Sequence, residues 1–180
     1  MGATDEMWVF GYGSLMWEPG FAPAERMAAT LSGWHRSFCM RSIHYRGTPE
    51  RPGLVLALDR AEAATCAGVA FAVAPDQQTA VRAYLQAREL VSDAYLELRL
   101  PVRLADGRTV EAITYVIDRD HCQYCSGYSS EEQAQIIARS RGQTGTNADY
   151  LWNTAAHLDE LGLPDPELAW LAARVRDLLG

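Results

Sequence analysis

The clearest pattern in the chain lies at residues 96–104, where Leu96, Leu98, Leu100, Val102 and Leu104 alternate with mostly polar neighbours. A period of two is that of a strand with one face buried. Asp106-Gly107 follows and reads as a two-residue hairpin turn, because glycine tolerates the positive φ of tight turns, and residues 110–117 return as the partner strand. Upstream, the apolar run 7–10 breaks at Gly11 and predicts a buried strand that feeds a tight loop. Leu31, Trp34, Phe38 and Met40 mark a longer extended stretch, and runs 54–58 and 68–74 predict two more strands. Helical spacing intervenes after residue 75: Asp76 is placed to cap a helix with Ala80, Val81, Tyr84 and Leu85 on one face. Ser129 and Ser130, with Glu132 and Gln133 three residues on, form capping boxes for another. Two further helices are expected at 150–161 and 167–179, separated by Pro164 and Pro166. Sheet-forming segments in the first two thirds and helices at the end predict an α+β class. With no repeat, low-complexity tract or linker, residues 1–180 read as a single domain.

Composition narrows the partners. A chain of 180 residues, 48% of them apolar, can bury one core of its own. A net charge of −7 with no basic stripe argues against nucleic acid and against an anionic membrane surface. The first seven residues are small or polar, and no apolar run approaches the roughly 20 residues that cross a bilayer. Cysteines at 39, 66, 122 and 125 show no secreted disulfide framework, so the cytoplasm is the expected location. Cys122 and Cys125 spell C-x-x-C, a redox pair or half a metal site; the only ligand type adjacent is His121 and no second half follows, which favours ordinary loop thiols and no metal.

Four segments carry candidate chemistry. In Phe10-Gly11-Tyr12-Gly13-Ser14-Leu15, glycines allow backbone N–H groups to converge on a carboxylate or a developing oxyanion; the same letters also describe a plain tight turn with Tyr12 in the core. Glu89 lies one helical turn beyond Leu85, on the side of Val81 and Tyr84, where burial and the helix C-terminus would both raise its pKa. A solvated helix-end glutamate paired with Arg88 or Arg82 is the alternative. Arg46-Gly47-Thr48 with Pro52-Gly53 is an inter-strand loop that presents a guanidinium to a carboxylate or is simply a surface turn. Residues 142–147, Gly-Gln-Thr-Gly-Thr-Asn, lack the lysine and the preceding strand of a phosphate loop and read as helix capping. His35, His44, His121 and His157 frame no nucleophile.

Taken in order, the segments resemble the ChaC-like branch of the γ-glutamylcyclotransferases. The resemblance rests on Val9-Phe10-Gly11-Tyr12-Gly13-Ser14-Leu15-Met16-Trp17, Gly33-Trp34-His35-Arg36, Arg46-Gly47-Thr48 with Pro52-Gly53, and Gly68-Val69-Ala70. It continues through Arg88-Glu89 ahead of Tyr95, Asp106-Gly107-Arg108, and Gly145-Thr146-Asn147 running into Tyr150-Leu151. It implies a single-domain γ-glutamylcyclotransferase-like fold, with a mixed barrel-like sheet flanked by helices. It also implies a cofactor-free carbon–nitrogen lyase activity that converts glutathione to 5-oxoproline and cysteinylglycine. It maps the catalytic carboxylate onto Glu89, substrate binding onto Val9, Phe10, Gly11, Tyr12, Gly13, Ser14 and Leu15, and pocket lining onto Tyr95, with Arg46 as a further candidate contact. The stretch Arg60-Ala61-Glu62-Ala63-Ala64-Thr65-Cys66 departs from the glycine turn common in related chains, and Cys122 and Cys125 lie outside the pattern. The rival expectations are a cyclotransferase of other γ-glutamyl amino acids or amines, and a non-catalytic regulatory binding module.

Overall fold

The computed structural model describes residues 6–180, so the small polar start of the chain, residues 1–5, lies outside the described residues. Five strands build the sheet: β1 (Met7–Gly11), β2 (Glu25–Ser42), β3 (Gly53–Val73), β4 (Tyr95–Leu104) and β5 (Thr109–Ile117). Four helices accompany them: α1 (Gln78–Glu89), α2 (Ser130–Arg139), α3 (Asn147–Glu160) and α4 (Pro166–Leu179). The sheet closes into a barrel in the order β1-β3-β2-β4-β5, with β5 returning to pair β1 in parallel at Trp8↔Ala112 and Val9↔Ile113. This is the mixed, barrel-like α+β architecture that the sequence predicts.

The described residues group into two compact units, one of residues 6–36 with Leu58–His121 and one of Ser37–Ala57 with Cys122–Gly180. In the first unit, Trp8, Phe10, Tyr12, Leu31, Leu58 and Val116 fill the barrel. Every residue of β1 is buried, as a strand paired on both edges requires. On the other face of β1, Met7 and Val9 pack with Val81 and Leu85 of α1 and with Ile113 and Tyr115 of β5. In the second unit, Ser129 accepts from Glu132 N while the Glu132 carboxylate accepts from Ser129 N, the capping box that opens α2. At the starts of α3 and α4 the caps are one-way: Thr146 accepts from Asp149 N, and Asp165 accepts from Glu167 N and Leu168 N, with Pro166 in the first turn of α4, where its missing N–H costs nothing.

Several local expectations are corrected. Runs 54–58 and 68–74 are not two strands but parts of the 21-residue β3, and the stretch Arg60 to Cys66 continues it instead of turning. The hairpin between β4 and β5 has three loop residues, not two. Leu104 N bonds Arg108 O at 2.8 Å, Gly107 N bonds Leu104 O at 2.9 Å, and Gly107 takes φ +94, a type I turn closed by a left-handed residue. Asp76 caps nothing: it sits in a 3-10 turn, Pro75–Gln77, that leads into α1, whose cap position is Gln77. On α1 only Val81 and Leu85 are buried, and Tyr84 and Ala80 face outward. Leu96 is exposed although its alternation places it with Leu98 and Val102. Among the described residues, no helix is long and apolar enough to cross a membrane.

Candidate active site

Helix α1 ends at Glu89, four residues beyond the buried Leu85. Side chains at i and i+4 share a helix face, so the carboxylate that follows Leu85 is drawn toward the core, and Glu89 keeps only 18% of its side chain exposed. Burial pushes its pKa up from the ordinary carboxyl value, and the Arg88 guanidinium beside it pulls in the opposite direction without winning. Arg82, the other cation within reach on the helix, is taken elsewhere: it donates through Nε and Nη2 to Glu97 Oε1, at 3.2 and 2.8 Å. Glu97 also accepts from Gln86 Nε2 at 3.1 Å and from the Tyr115 hydroxyl at 3.0 Å. Burial raises Glu97, but these hydrogen bonds together outweigh it and hold the carboxyl below its usual range. The two glutamates near this end of the molecule are thus driven apart, Glu89 upward by burial and Glu97 downward by its hydrogen bonds.

Tyr115 lies under both. It is 1% exposed, and burial first, then the charge of Glu97 and the charge of Glu89, push its hydroxyl far above the ordinary tyrosine value. It stays neutral and donates. Tyr95, the first residue of β4, pairs with Ile117 and packs half-buried on the cluster that contains Tyr115 and Leu85.

The loop after β1 is held from beneath. Val9 and Phe10 are fully buried, and a Cβ on Gly11 would stand 3.0 Å from Leu15 Cβ, so any larger residue there would push against the returning loop. The Tyr12 hydroxyl donates to Tyr115 O at 2.8 Å. Arg36, 5% exposed, donates from Nε to Tyr12 O at 2.7 Å and from Nη2 to Ala67 O. A trans peptide points its C=O and N–H in opposite directions, so with the Tyr12 carbonyl on the buried guanidinium the Gly13 amide points away from Arg36. Gly13 and the exposed Ser14 then open a 3-10 turn, Ser14–Met16, whose first N–H groups have no partner within the turn. A buried cation beside amides with no partner within the turn is an arrangement suited to a carboxylate or an oxyanion.

Sequence reasoning singled out Glu89 and residues 9–15, which lie in the same unit, with Val9 and Leu15 packed on the cluster of Leu85 and with Phe10 and Tyr12 in the barrel; it did not single out Arg36, Tyr115 or Glu97. A signal for Arg36 was present. Inward positions of β2 are odd at Ala29 and Leu31 and even at Arg36, Phe38 and Met40, and the shift occurs at Gly33, with φ +87, as at a bulge. An arginine at an inward position is a buried cation in need of acceptors.

Arg46 belongs to the second unit. Its Nη1 donates to Thr146 O at 3.1 Å and its guanidinium lies 5.7 Å from the centre of the Tyr150 ring, so it fastens the entry of α3. In the same unit Cys39 and Cys125 are buried and Cys122 is exposed, none of them in a disulfide.

A sequence profile of the ChaC-like protein family matches residues 7–178. The chain is 39% identical to a glutathione-specific γ-glutamylcyclotransferase of Escherichia coli (strain K12), over 96% of its own length and 74% of that protein. It is 33% identical to glutathione-specific γ-glutamylcyclotransferase 1 of Danio rerio, over 96% of this chain and 92% of the other. Among solved structures, a yeast γ-glutamylcyclotransferase specific to glutathione superposes with a TM-score of 0.82 at 24% identity, over 96% of both chains, a likeness of fold.

Proposed function

This chain belongs to the ChaC-like protein family, and from that membership we propose that it is a glutathione-specific γ-glutamylcyclotransferase in which Glu89 moves the protons. Its relatives named for that activity support the reaction and the substrate. The observation that carries the assignment of Glu89 is its mostly buried carboxylate of raised pKa, beside an Arg88 guanidinium that also holds Ser14 of the loop after β1.

The chemistry asks little of the protein beyond placement. In glutathione the α-amine of the γ-glutamyl group can bend back on its own γ-carbonyl and close a five-membered ring. Nucleophile and electrophile share one molecule, and such reactions reach effective molarities of about 10⁵ M or more when well oriented. Neither a side-chain nucleophile nor a cofactor is needed. The ionised Glu89 takes a proton from the α-ammonium, and the freed amine lone pair forms the new C–N bond at the γ-carbon. The carbonyl electrons move onto oxygen, where amides of the Gly13–Ser14 turn stabilise the charge by roughly 3 kcal/mol per donor. As the carbonyl re-forms, the bond to the cysteinyl nitrogen breaks and that nitrogen receives the proton from Glu89; the ring nitrogen gives up its surplus proton to the same carboxylate, which passes it to the departing amine, so that a neutral lactam and a cysteinylglycine ammonium result. A raised pKa suits both halves, since the group must accept and release near neutrality. Tyr12 and Leu15 shape the loop, Tyr95 lines the pocket, and Arg46 stays with α3. The cytoplasm is the proposed location, supported by four cysteines, none of them in a disulfide.

Incubation of the purified protein with glutathione, beside γ-glutamyl-alanine, followed by mass detection tests the reading. Equal amounts of 5-oxoproline and cysteinylglycine from glutathione, and little product from the dipeptide, are expected. Glutathione left intact by folded protein contradicts it.

A further inference from the structure

Adjacent residues on a helix diverge by about 100° and do not normally meet. Arg88 and Glu89 nevertheless do, with Nε 3.4 Å from Oε1, both side chains about four-fifths buried. The cause lies in what the rest of the guanidinium holds. Its Nη1 donates to Glu18 O at 2.6 Å and approaches the Tyr84 hydroxyl at 3.3 Å, and its Nη2 donates to Ser14 Oγ at 3.0 Å. Ser14 begins the amide turn and Glu18 follows it, so one planar group spans both ends of the loop. Gly20 completes the fit: it takes φ +80, and a Cβ there would run into the Tyr84 ring and hydroxyl.

We infer that Arg88 is a positioning residue whose guanidinium clamps the Ser14–Glu18 loop onto α1 while its third nitrogen stands beside the Glu89 carboxylate, fixing the amide turn and the proton carrier relative to each other. The inference rests on the proposed activity for its readout. Each nitrogen of the fork is used, and a lysine, with a single nitrogen, cannot reach Ser14, Glu18 and Glu89 together. The other ionisable groups on the elements packed at this end of α1 are Glu18 in the loop, Tyr95 and Glu97 on β4, and Tyr115 on β5; Arg82 is bound to Glu97. Arg88 is therefore the cation that holds Glu89 down against burial.

The test compares wild type, Arg88→Met, Arg88→Lys and Ser14→Ala by the pH profile of kcat/KM and by KM for glutathione, each checked for folding by circular dichroism. Glu89 must be ionised to accept the first proton. Loss of the neighbouring cation raises its pKa, so Arg88→Met moves the acid limb up by about one pH unit. It also raises KM about tenfold through loss of the loop contacts. Arg88→Lys keeps the limb close to wild type but still raises KM, and Ser14→Ala raises KM alone. A purely structural arginine would lower the melting temperature and leave the limb in place, and that result overturns the inference. If Arg88→Met does not fold, unchanged KM in both Arg88→Lys and Ser14→Ala overturns it equally. A wild type without turnover would instead remove the proposed function itself.

Discussion

At the residue scale, the role proposed for Glu89 comes at the expense of stability. Burial raises its pKa above the ordinary value that it has in the unfolded chain, and a carboxyl raised on folding favours the folded state at low pH. That contribution is complete below the unfolded pKa, about 4.3, and is lost as pH rises through the folded value. Replacing the group by a neutral isostere removes the loss. Glu89→Gln is therefore expected to melt at a higher temperature than wild type near pH 7.5 and at the same temperature near pH 3.5, in a calorimetric series across that range. Glu97 behaves in the reverse sense: its lowered pKa contributes stability that is present above the unfolded value and lost as pH falls through the folded one. The position of Glu89 was legible because it needs only helical spacing from Leu85. Tyr115 was not, because its roles come from partners that hydrophobic period does not report: the hydroxyl of Tyr12, 103 residues away, and the carboxylate of Glu97.

At the element scale, polar pins do what apolar spacing cannot. Asn147, fully buried at the first position of α3, accepts from Leu54 N and donates to Leu54 O, both at 2.8 Å, and so ties the helix to the start of β3. Asn147→Ala strands two buried backbone groups at once, each costing about 1–3 kcal/mol. Chemical denaturation should show a loss of about 3 kcal/mol with the unfolding slope unchanged. The exposed pair of Arg174 and Glu131, which joins α4 to α2 at 2.8 and 2.9 Å, carries much less by the same reasoning. Elements with strong local signals were readable from sequence: the Ser129 box, the Thr146 cap, and the alternation of β4. Strand β3 was read as two because its middle, Arg60 to Ala67, is rich in alanine and polar residues that favour no strand; pairing across the barrel overrides that preference. Leu96 marks the opposite failure, an alternation that continues past the point where the sheet face is covered.

At the scale of the whole molecule, the α+β class and the barrel-like sheet followed from the order of segments and from the family resemblance. The closure did not. Parallel pairing of β1 with β5 joins residues about a hundred positions apart, and no local period encodes it. That closure places the loop after β1 next to Tyr115, and α1, packed on the same strand through Val81 and Leu85, ends at Glu89, whose charge acts on the same tyrosine. The division of the described residues into two compact units assigns the proposed chemistry to the first and the capped helices to the second. The account therefore turns on one carboxylate in the first unit. The most direct measurement is single-turnover conversion of glutathione to 5-oxoproline by folded Glu89→Gln beside wild type. The account predicts a fall of about a hundredfold or more; a variant that keeps above about a tenth of the wild-type rate, at the same pH, contradicts it.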